Sequence, residues 1–261
     1  MATRLKGFFI KLFCLSGLPR SGSTWLGAIL NQNPDCYVTG QSPFVELLWR
    51  NYSLWKDSNW KQDFIADNLE CNMVSYLRGI TELYYRQLTD CGVVIDNRRH
   101  WQSITNIMMH EDIFGSLPKI ICPVRRIEDI VASFLKLYRN NNKEFNLDVH
   151  LNGNVFLGIH SMLEATYNSH YRDCLHLVDY ENLVSNTDYE LERIYSFIDM
   201  PNYKHDYECI KQNNSLRKVD SEYGLVGMHE IKSGVQKSNT VAEIELNKEQ
   251  LIQYRELNFW E

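Results

Sequence analysis

The sequence predicts an α/β fold, a three-layer sandwich with a central parallel sheet. Two observations carry this. Short apolar runs of strand character recur at Phe8–Leu15, Val93–Ile95, Lys119–Val124 and Cys174–Val178. Between them lie stretches whose apolar residues fall at helical spacing. Strands alternating with helices pair in parallel and are covered on both faces, so their runs are continuously apolar rather than alternating. The length of 261 residues suits one such unit, and no repeat or linker rich in Pro, Gly or Ser divides it. Residues 1–261 are therefore expected to form a single domain.

The elements follow in order. Gly7–Leu18 is apolar, but Lys11 interrupts it and Pro19-Arg20 follow at once. It is too short to span a bilayer and reads as a buried first strand rather than the core of a signal peptide. Thr24–Leu30 is the first helix, and the aromatic-rich stretch from Phe44 to Leu88 predicts several more. Ile130, Val131, Phe134, Leu135 and Tyr138 mark another helix, and Phe156, Ile159, Leu163 and Tyr167 the next. Thr187-Asp-Tyr-Glu190 reads as a capping box that opens a helix with Leu191, Ile194, Tyr195 and Ile198 inward, stopped by Pro201. Residues 202–240 are the least periodic and predict a long surface excursion before a last helix near Asn247–Leu257.

Composition narrows the function. Lys and Arg number 27 against 33 Asp and Glu, a net charge of −6. Such a chain has no global attraction to nucleic acid or to an anionic membrane, so any polyanion must be held locally. The seven cysteines include no C-x-x-C pair, and the histidines no H-x-x-x-H pair. The pattern fits free thiols in a reducing compartment, not a disulfide framework or a metal centre. A cytoplasmic location, no metal and no membrane partner are the expectations.

The strongest motif is Ser16-Gly-Leu-Pro-Arg-Ser-Gly-Ser-Thr-Trp25, directly after the first strand. Gly17 and Gly22 permit a tight turn and close backbone approach. Ser21, Ser23 and Thr24 leave amides free to point inward, and the following helix aims its N-terminus at the same place. Arg20 adds a planar donor fork. Together they form an anion cradle for phosphate or sulfate. The spacing nearly matches the nucleoside-triphosphatase P-loop, G-x-x-x-x-G-K-[ST], with Val93-Val-Ile-Asp96 as a conceivable magnesium strand. Residue 23 is Ser, however, where that loop needs Lys.

Pro19-Arg-Ser-Gly-Ser-Thr-Trp25 resembles the 5′-phosphosulfate loop of the sulfotransferases, which use 3′-phosphoadenylyl sulfate (PAPS). The resemblance implies a second element, a strand ending in Arg followed eight residues later by a helical Ser, both gripping the 3′-phosphate. Lys119-Ile-Ile-Cys-Pro-Val-Arg125 followed by Ser133 matches it. Tyr180-Glu181-Asn-Leu183 is similar to the strand-end Y-E-x-L whose Tyr meets the adenine side. Gly227-Met-His-Glu-Ile-Lys232-Ser233 resembles the segment that folds over the donor, with Lys232 toward phosphate. The likeness runs from about residue 8 to 240.

It implies in-line transfer of a sulfuryl group from PAPS to an acceptor hydroxyl or amine, leaving adenosine 3′,5′-bisphosphate (PAP), with Arg20 and the loop stabilising the leaving oxygen. A hydroxyl acceptor also needs a general base. The tyrosylprotein register places Gln41 where that branch has a catalytic Glu, and Glu46 is the nearest carboxylate. The cytosolic branch takes a His soon after a central strand, for which His100 in Asp96-Asn-Arg-Arg-His-Trp101 is the nearest equivalent. Both stay open, and Arg98 or Arg99 is placed to hold sulfate or an acidic acceptor. Trp49, Trp55, Trp60, Tyr84 and Tyr85 suggest an acceptor side suited to a sugar, a phenol or a small alcohol. Two rivals remain: a P-loop kinase or triphosphatase, and a non-catalytic module that binds PAP or sulfate.

Overall fold

The computed structural model describes residues 10–57, 59–67, 70–147, 153, 155–211, 220–221, 224–231, 234–235 and 241–260. Of Asp57, Trp60, Phe64, Glu70, Cys71 and Asn72 it describes the backbone alone. Five strands form one sheet, all parallel. They are β1 (Lys11–Leu15), β2 (Cys36–Val38), β3 (Val93–Asn97), β4 (Ile120–Val124) and β5 (Leu175–Asp179), in the spatial order β2-β3-β1-β4-β5. Four strands stand where the apolar runs predict them, although Phe8 and Phe9 lie outside the described residues.

The helices are α1 (Ser23–Leu30), α2 (Phe44–Asp57), α3 (Trp60–Ala66), α4 (Glu70–Arg86), α5 (Ile104–Phe114), α6 (Ile127–Asn140), α7 (Phe156–Tyr167), α8 (Tyr180–Ser185), α9 (Thr187–Phe197), α10 (Ala242–Glu245) and α11 (Lys248–Arg255). They cover both faces of the sheet, and the strand residues show how. Cys14, Val94, Ile120, Cys122 and Val124 join one buried cluster with Phe44, Tyr85, Ile107, Ile130 and Ile159. Their neighbours Phe13, Leu15, Ile95, Ile121 and Val178 join a second, with Leu26, Ile29, Leu191 and Ile194. The two-residue period of a strand thus sends alternate side chains into two cores, which is why each run is apolar throughout.

Helix ends follow local chemistry, with one correction. The Asp179 side chain accepts from the Asn182 amide at 2.9 Å and opens α8 directly off β5. Asn247 and Gln250 form a reciprocal capping box at α11, inside the last helix the sequence predicts. The capping box read at Thr187 is not one: Asn186 is the N-cap residue, and the Thr187 hydroxyl donates back to the Leu183 carbonyl at 2.8 Å. That hydrogen bond ties α9 to the end of α8 and takes Thr187 out of the capping role. Among the described residues no helix is long and apolar enough to cross a membrane. Among the described residues six cysteines carry free thiols, four of them buried.

Candidate active site

The strand order creates the site. The chain runs from β1 outward to β2, returns to β3 beside β1, and then crosses to β4 on the other flank. The carboxyl ends of β1 and β4 therefore lie side by side where the winding reverses, the place at which open α/β sheets bind ligands. The loop after β1 carries Arg20 and the turn after β4 carries Arg125. Two motifs about a hundred residues apart meet because their strands are neighbours.

Close packing sets the loop. The Leu18 amide donates to the Pro123 carbonyl at 3.1 Å, seating the loop on β4. A Cβ at Gly17 would stand 2.8 Å from that same oxygen, so only glycine fits. The Ser21 hydroxyl donates to the Leu18 carbonyl at 2.6 Å and closes the turn. Gly22, the N-cap of α1, has φ +89°, and a Cβ there would meet the Tyr180 ring at 3.1 Å. Arg20 itself sits at φ 61°, a left-handed conformation that a non-glycine residue adopts at a cost of about 1–3 kcal/mol. The first amides of α1, at Ser23, Thr24 and Trp25, have no intrahelical acceptor and are donors suited to an anion.

Arg125 and Ser133 complete the cradle. Ser133 lies two turns along α6 from the end of β4, and its hydroxyl accepts from Arg20 Nε at 3.1 Å. Arg125 is only 5% exposed; its Nη1 donates to the Arg20 carbonyl at 3.1 Å, and its guanidinium lies 4.5 Å above the centre of the Tyr180 ring. The Arg125 Nε is buried with no hydrogen-bond partner. Burial first, and then the neighbouring Arg125 charge, bring the Arg20 guanidinium down to about 10. Burial likewise lowers Arg125 against the opposing pull of Tyr180. Two desolvated like charges and an unused donor repel or go unanswered among themselves, and an anion beside them satisfies all three groups at once. Arg126 turns outward and pairs with Asp129 at 2.8 Å.

A cavity of about 390 Å³ opens on this cradle, lined by Pro19, Arg20, Gly22, Ser23, Thr24, Trp25, Arg125, Ser133 and Tyr180. Every described residue that the sequence places at a donor site is therefore within it or, as with Ser21, holds its wall in shape. Lys232 lies outside the described residues. Lys136 and Asn140 also line this cavity and were missed. The available signal was the helical spacing 133, 136, 140, which puts all three on one face of α6.

A second cavity, of about 380 Å³, adjoins the first and shares Ser23, Thr24, Arg99, Phe134, Met228 and His229 with it. The β3 end feeds it through Asn97, Arg98, Arg99 and His100, and Gln41 also lines it. His100 lies at its rim, where burial outweighs the Glu46 charge and pulls the imidazole pKa down. Glu46 lines neither cavity; it is bound to Arg98, with Nε donating to Oε1 at 2.6 Å. The aromatic residues of α2 and α4 do not line either cavity. Tyr85 and Trp55 are core, and Tyr84 and Tyr85 pack on Phe44 with ring centres 4.8 Å away. The Trp60 side chain is outside the description. Packing between helices accounts for Trp55, Tyr84 and Tyr85, whereas Trp49 is exposed and lines neither cavity.

Asp96 is also no ligand site. It is fully buried, accepts from Trp101 Nε1 at 2.8 Å and from Thr39 Oγ1 at 3.3 Å, and is raised in pKa by burial. Among the described residues no group of three or more His, Cys, Asp or Glu is placed to hold a metal ion.

Solved structures show the same architecture. The sulfotransferase domain from the Synechococcus PCC 7002 olefin synthase matches at 18% identity and a TM-score of 0.50, over 94% of this chain and 93% of that one. Mouse sulfotransferase SULT7A1, complexed with PAP, matches at 13% identity and a TM-score of 0.52, over 95% and 82%. Comparison with the curated proteins found no match. The sulfotransferase family model matches residues 13–205, from β1 through the end of α9, which includes the loop, Arg125, Ser133 and Tyr180. The chain belongs to the sulfotransferase family.

Proposed function

We propose that the chain moves a sulfuryl group from PAPS to an acceptor hydroxyl or amine. The carrying observation is the buried Arg125, whose partnerless Nε stands beside Arg20 and Ser133 at the junction of β1 and β4. That is a built anion site, reached from two motifs, and its cavity has the volume of a small-molecule pocket. Arg125 and Ser133 would take the 3′-phosphate. Arg20 and the amides and hydroxyls of Ser23 and Thr24 would take the 5′-phosphosulfate, with Tyr180 beside the adenosine.

The chemistry follows from the charge. As the sulfur–oxygen bond to PAP breaks, negative charge grows on the bridging oxygen. Fixed donors in a desolvated site stabilise it without reorganising. The adjoining cavity is the acceptor's place, which suits a small alcohol, sugar or phenol and no nucleic acid. His100 faces that space, whereas Glu46 supports it through Arg98. The free thiols suit a reducing compartment such as the cytoplasm. A P-loop kinase is disfavoured by Ser23 and by the buried Asp96, which has no open ligand position.

Radiolabelled PAPS offered with 2-naphthol, cyclohexanol and glucosamine tests the reading, with magnesium–ATP hydrolysis run in parallel. Sulfated product with no ATP hydrolysis is expected. Magnesium-dependent ATP hydrolysis would overturn the reading, and PAP binding with no transfer to any acceptor would leave a binding module.

A further inference from the structure

Resting on the sulfuryl-transfer reading, we propose that Asn258, with Arg255 and Glu128, positions Arg125 and Ser133 for the 3′-phosphate. The end of the chain would then set how strongly the site prefers a 3′-phosphorylated nucleotide. The link is α6, the helix that starts just after Arg125 and carries Ser133.

The head of α6 lacks a side-chain cap of its own. Arg126 is the N-cap residue, but its side chain turns to Asp129 and caps no amide. Ile127 is fully buried, so its amide needs a protein acceptor in place of water. Asn258 supplies it. Its Oδ1 accepts the Ile127 amide at 2.9 Å, and its Nδ2 donates to Glu128 Oε2 at 3.1 Å. Arg255 Nε donates to the other Glu128 oxygen at 3.3 Å. Glu128 is 2% exposed and Asn258 7%, so water competes little for these bonds. One side chain thus holds the first two residues of the helix, directly after Arg125 and Arg126.

The rest of the C-terminal segment follows the same helix. Ala242, Leu246 and Tyr254 are buried in one cluster with Ile127, Ile130 and Val131. Toward the far end, Glu245 accepts from both terminal nitrogens of Arg139, at 2.7 and 3.1 Å. That pair is exposed on the Arg139 side and contributes less than the buried contacts at the head. Glu128 and Arg139 lie about three turns apart on one stripe of α6. Ser133, Lys136 and Asn140 share another stripe, the one that lines the donor cavity. The helix is therefore clasped along one side and meets the donor on another. A rotation or slide of α6 would carry Ser133 with it and would pull Arg125 from its seat over Tyr180 and against the Arg20 carbonyl. The 5′ side is anchored separately, by the seating of Leu18 on Pro123. Loss of Asn258 should thus weaken the 3′ half of the site first.

The test measures binding of PAP and of adenosine 5′-monophosphate (AMP), which lacks the 3′-phosphate, by calorimetry. The proteins are wild type, Asn258→Ala, Arg255→Met and the double variant Asn258→Asp with Glu128→Gln. Asn258 and Arg255 are positioning residues, and the ratio of the two affinities reads the 3′-phosphate contribution, which a purely structural role would not change. Asn258→Ala should lower PAP affinity about tenfold, the scale of one hydrogen bond, with AMP affinity held within about threefold. The double variant keeps an oxygen for the Ile127 amide and exchanges donor and acceptor between the two side chains. It should restore PAP affinity to within about threefold of wild type. Arg255→Met, at a half-exposed side chain, carries the test if Asn258→Ala does not fold, with a loss of about threefold in PAP affinity alone. Unchanged PAP affinity in the single variants, an equal loss for PAP and AMP, or a double variant as weak as Asn258→Ala overturns the proposal. PAP bound more tightly than AMP by the wild type then leaves the transfer reading standing. A wild type that binds no PAP removes the transfer reading itself.

Discussion

Gly17→Ala probes the joint on which the site is built. The added methyl would lie 2.8 Å from the Pro123 carbonyl oxygen, 2.9 Å from Ser21 Oγ and 3.0 Å from Pro123 Cδ. Ordinary van der Waals contact begins near 3.4 Å, so the loop must retreat from β4 by about 0.6 Å. The Leu18–Pro123 hydrogen bond, now 3.1 Å, would open to about 3.7 Å and cease to be one. Overpacking costs about 1–3 kcal/mol, and the lost hydrogen bond about 1 kcal/mol more. At about 2–4 °C per kcal/mol for a chain of this size, the melting midpoint should fall by roughly 4–16 °C. The same retreat carries the Arg20 carbonyl away from Arg125, so PAP affinity should fall at least tenfold. Gly79→Ala is the control: its Cβ meets nothing within 4 Å in α4, and helix propensity predicts a gain of about 0.5–1 kcal/mol with PAP binding intact. Thermal unfolding and calorimetry read both variants. A Gly17→Ala protein as stable as wild type and equally able to bind PAP would refute the argument that the loop is held by its contact with β4.

Three further outcomes are expected. Glu46→Gln should lower turnover by less than tenfold, because Glu46 lines neither cavity; a loss near 10³ in a rate assay would make it the base. Stability should fall as pH drops from about 6.5 to about 4, because burial holds His110 and His176 down at about 4 in the fold. Each binds a proton more readily unfolded, so its contribution is present above the unfolded pKa and lost on acidification; urea titrations of His110→Gln across that range should show a flatter slope, and an unchanged slope would contradict the cause. Trp101→Phe should cost about 1–3 kcal/mol by leaving Asp96 without its indole donor, measured by urea unfolding at pH 7, with a cost below about 0.5 kcal/mol ruling out that role.

Much of the fold was legible because burial on both faces writes itself as apolar runs. β1, β3, β4 and β5 lie within two residues of those runs wherever they are described. β2 escaped because Cys36–Val38 is three residues long, too short for a periodicity. α5 escaped because Met108 and His110 blur its pattern, and its N-cap Ser103 caps no helix amide, its hydroxyl donating instead to the His100 carbonyl at 3.0 Å. The anion cradle was legible because each half is local: a glycine-rich turn, and an Arg–Ser pair at helical distance. The second cavity was not, since Gln41, Arg99, His100 and Leu225 are brought together only by the strand order. His229, which lines both cavities and is hydrogen-bonded to Asp220 nine residues before it, stands in an aperiodic segment where spacing carries no sign of that contact. The aromatic stretch misled because large rings serve a core as well as a ligand.

The central claim is that the junction of β1 and β4 is a bisphosphate site fitted to PAP. Calorimetric titration of PAP into wild type, Arg20→Ala and Arg125→Met, with magnesium–ATP as competitor, tests it most directly. The account predicts binding that weakens about 10-fold or more in each variant, one charge-assisted hydrogen bond being worth about 1.5–3 kcal/mol, and that magnesium–ATP does not displace. Binding that ignores Arg125, or a preference for magnesium–ATP, would contradict it.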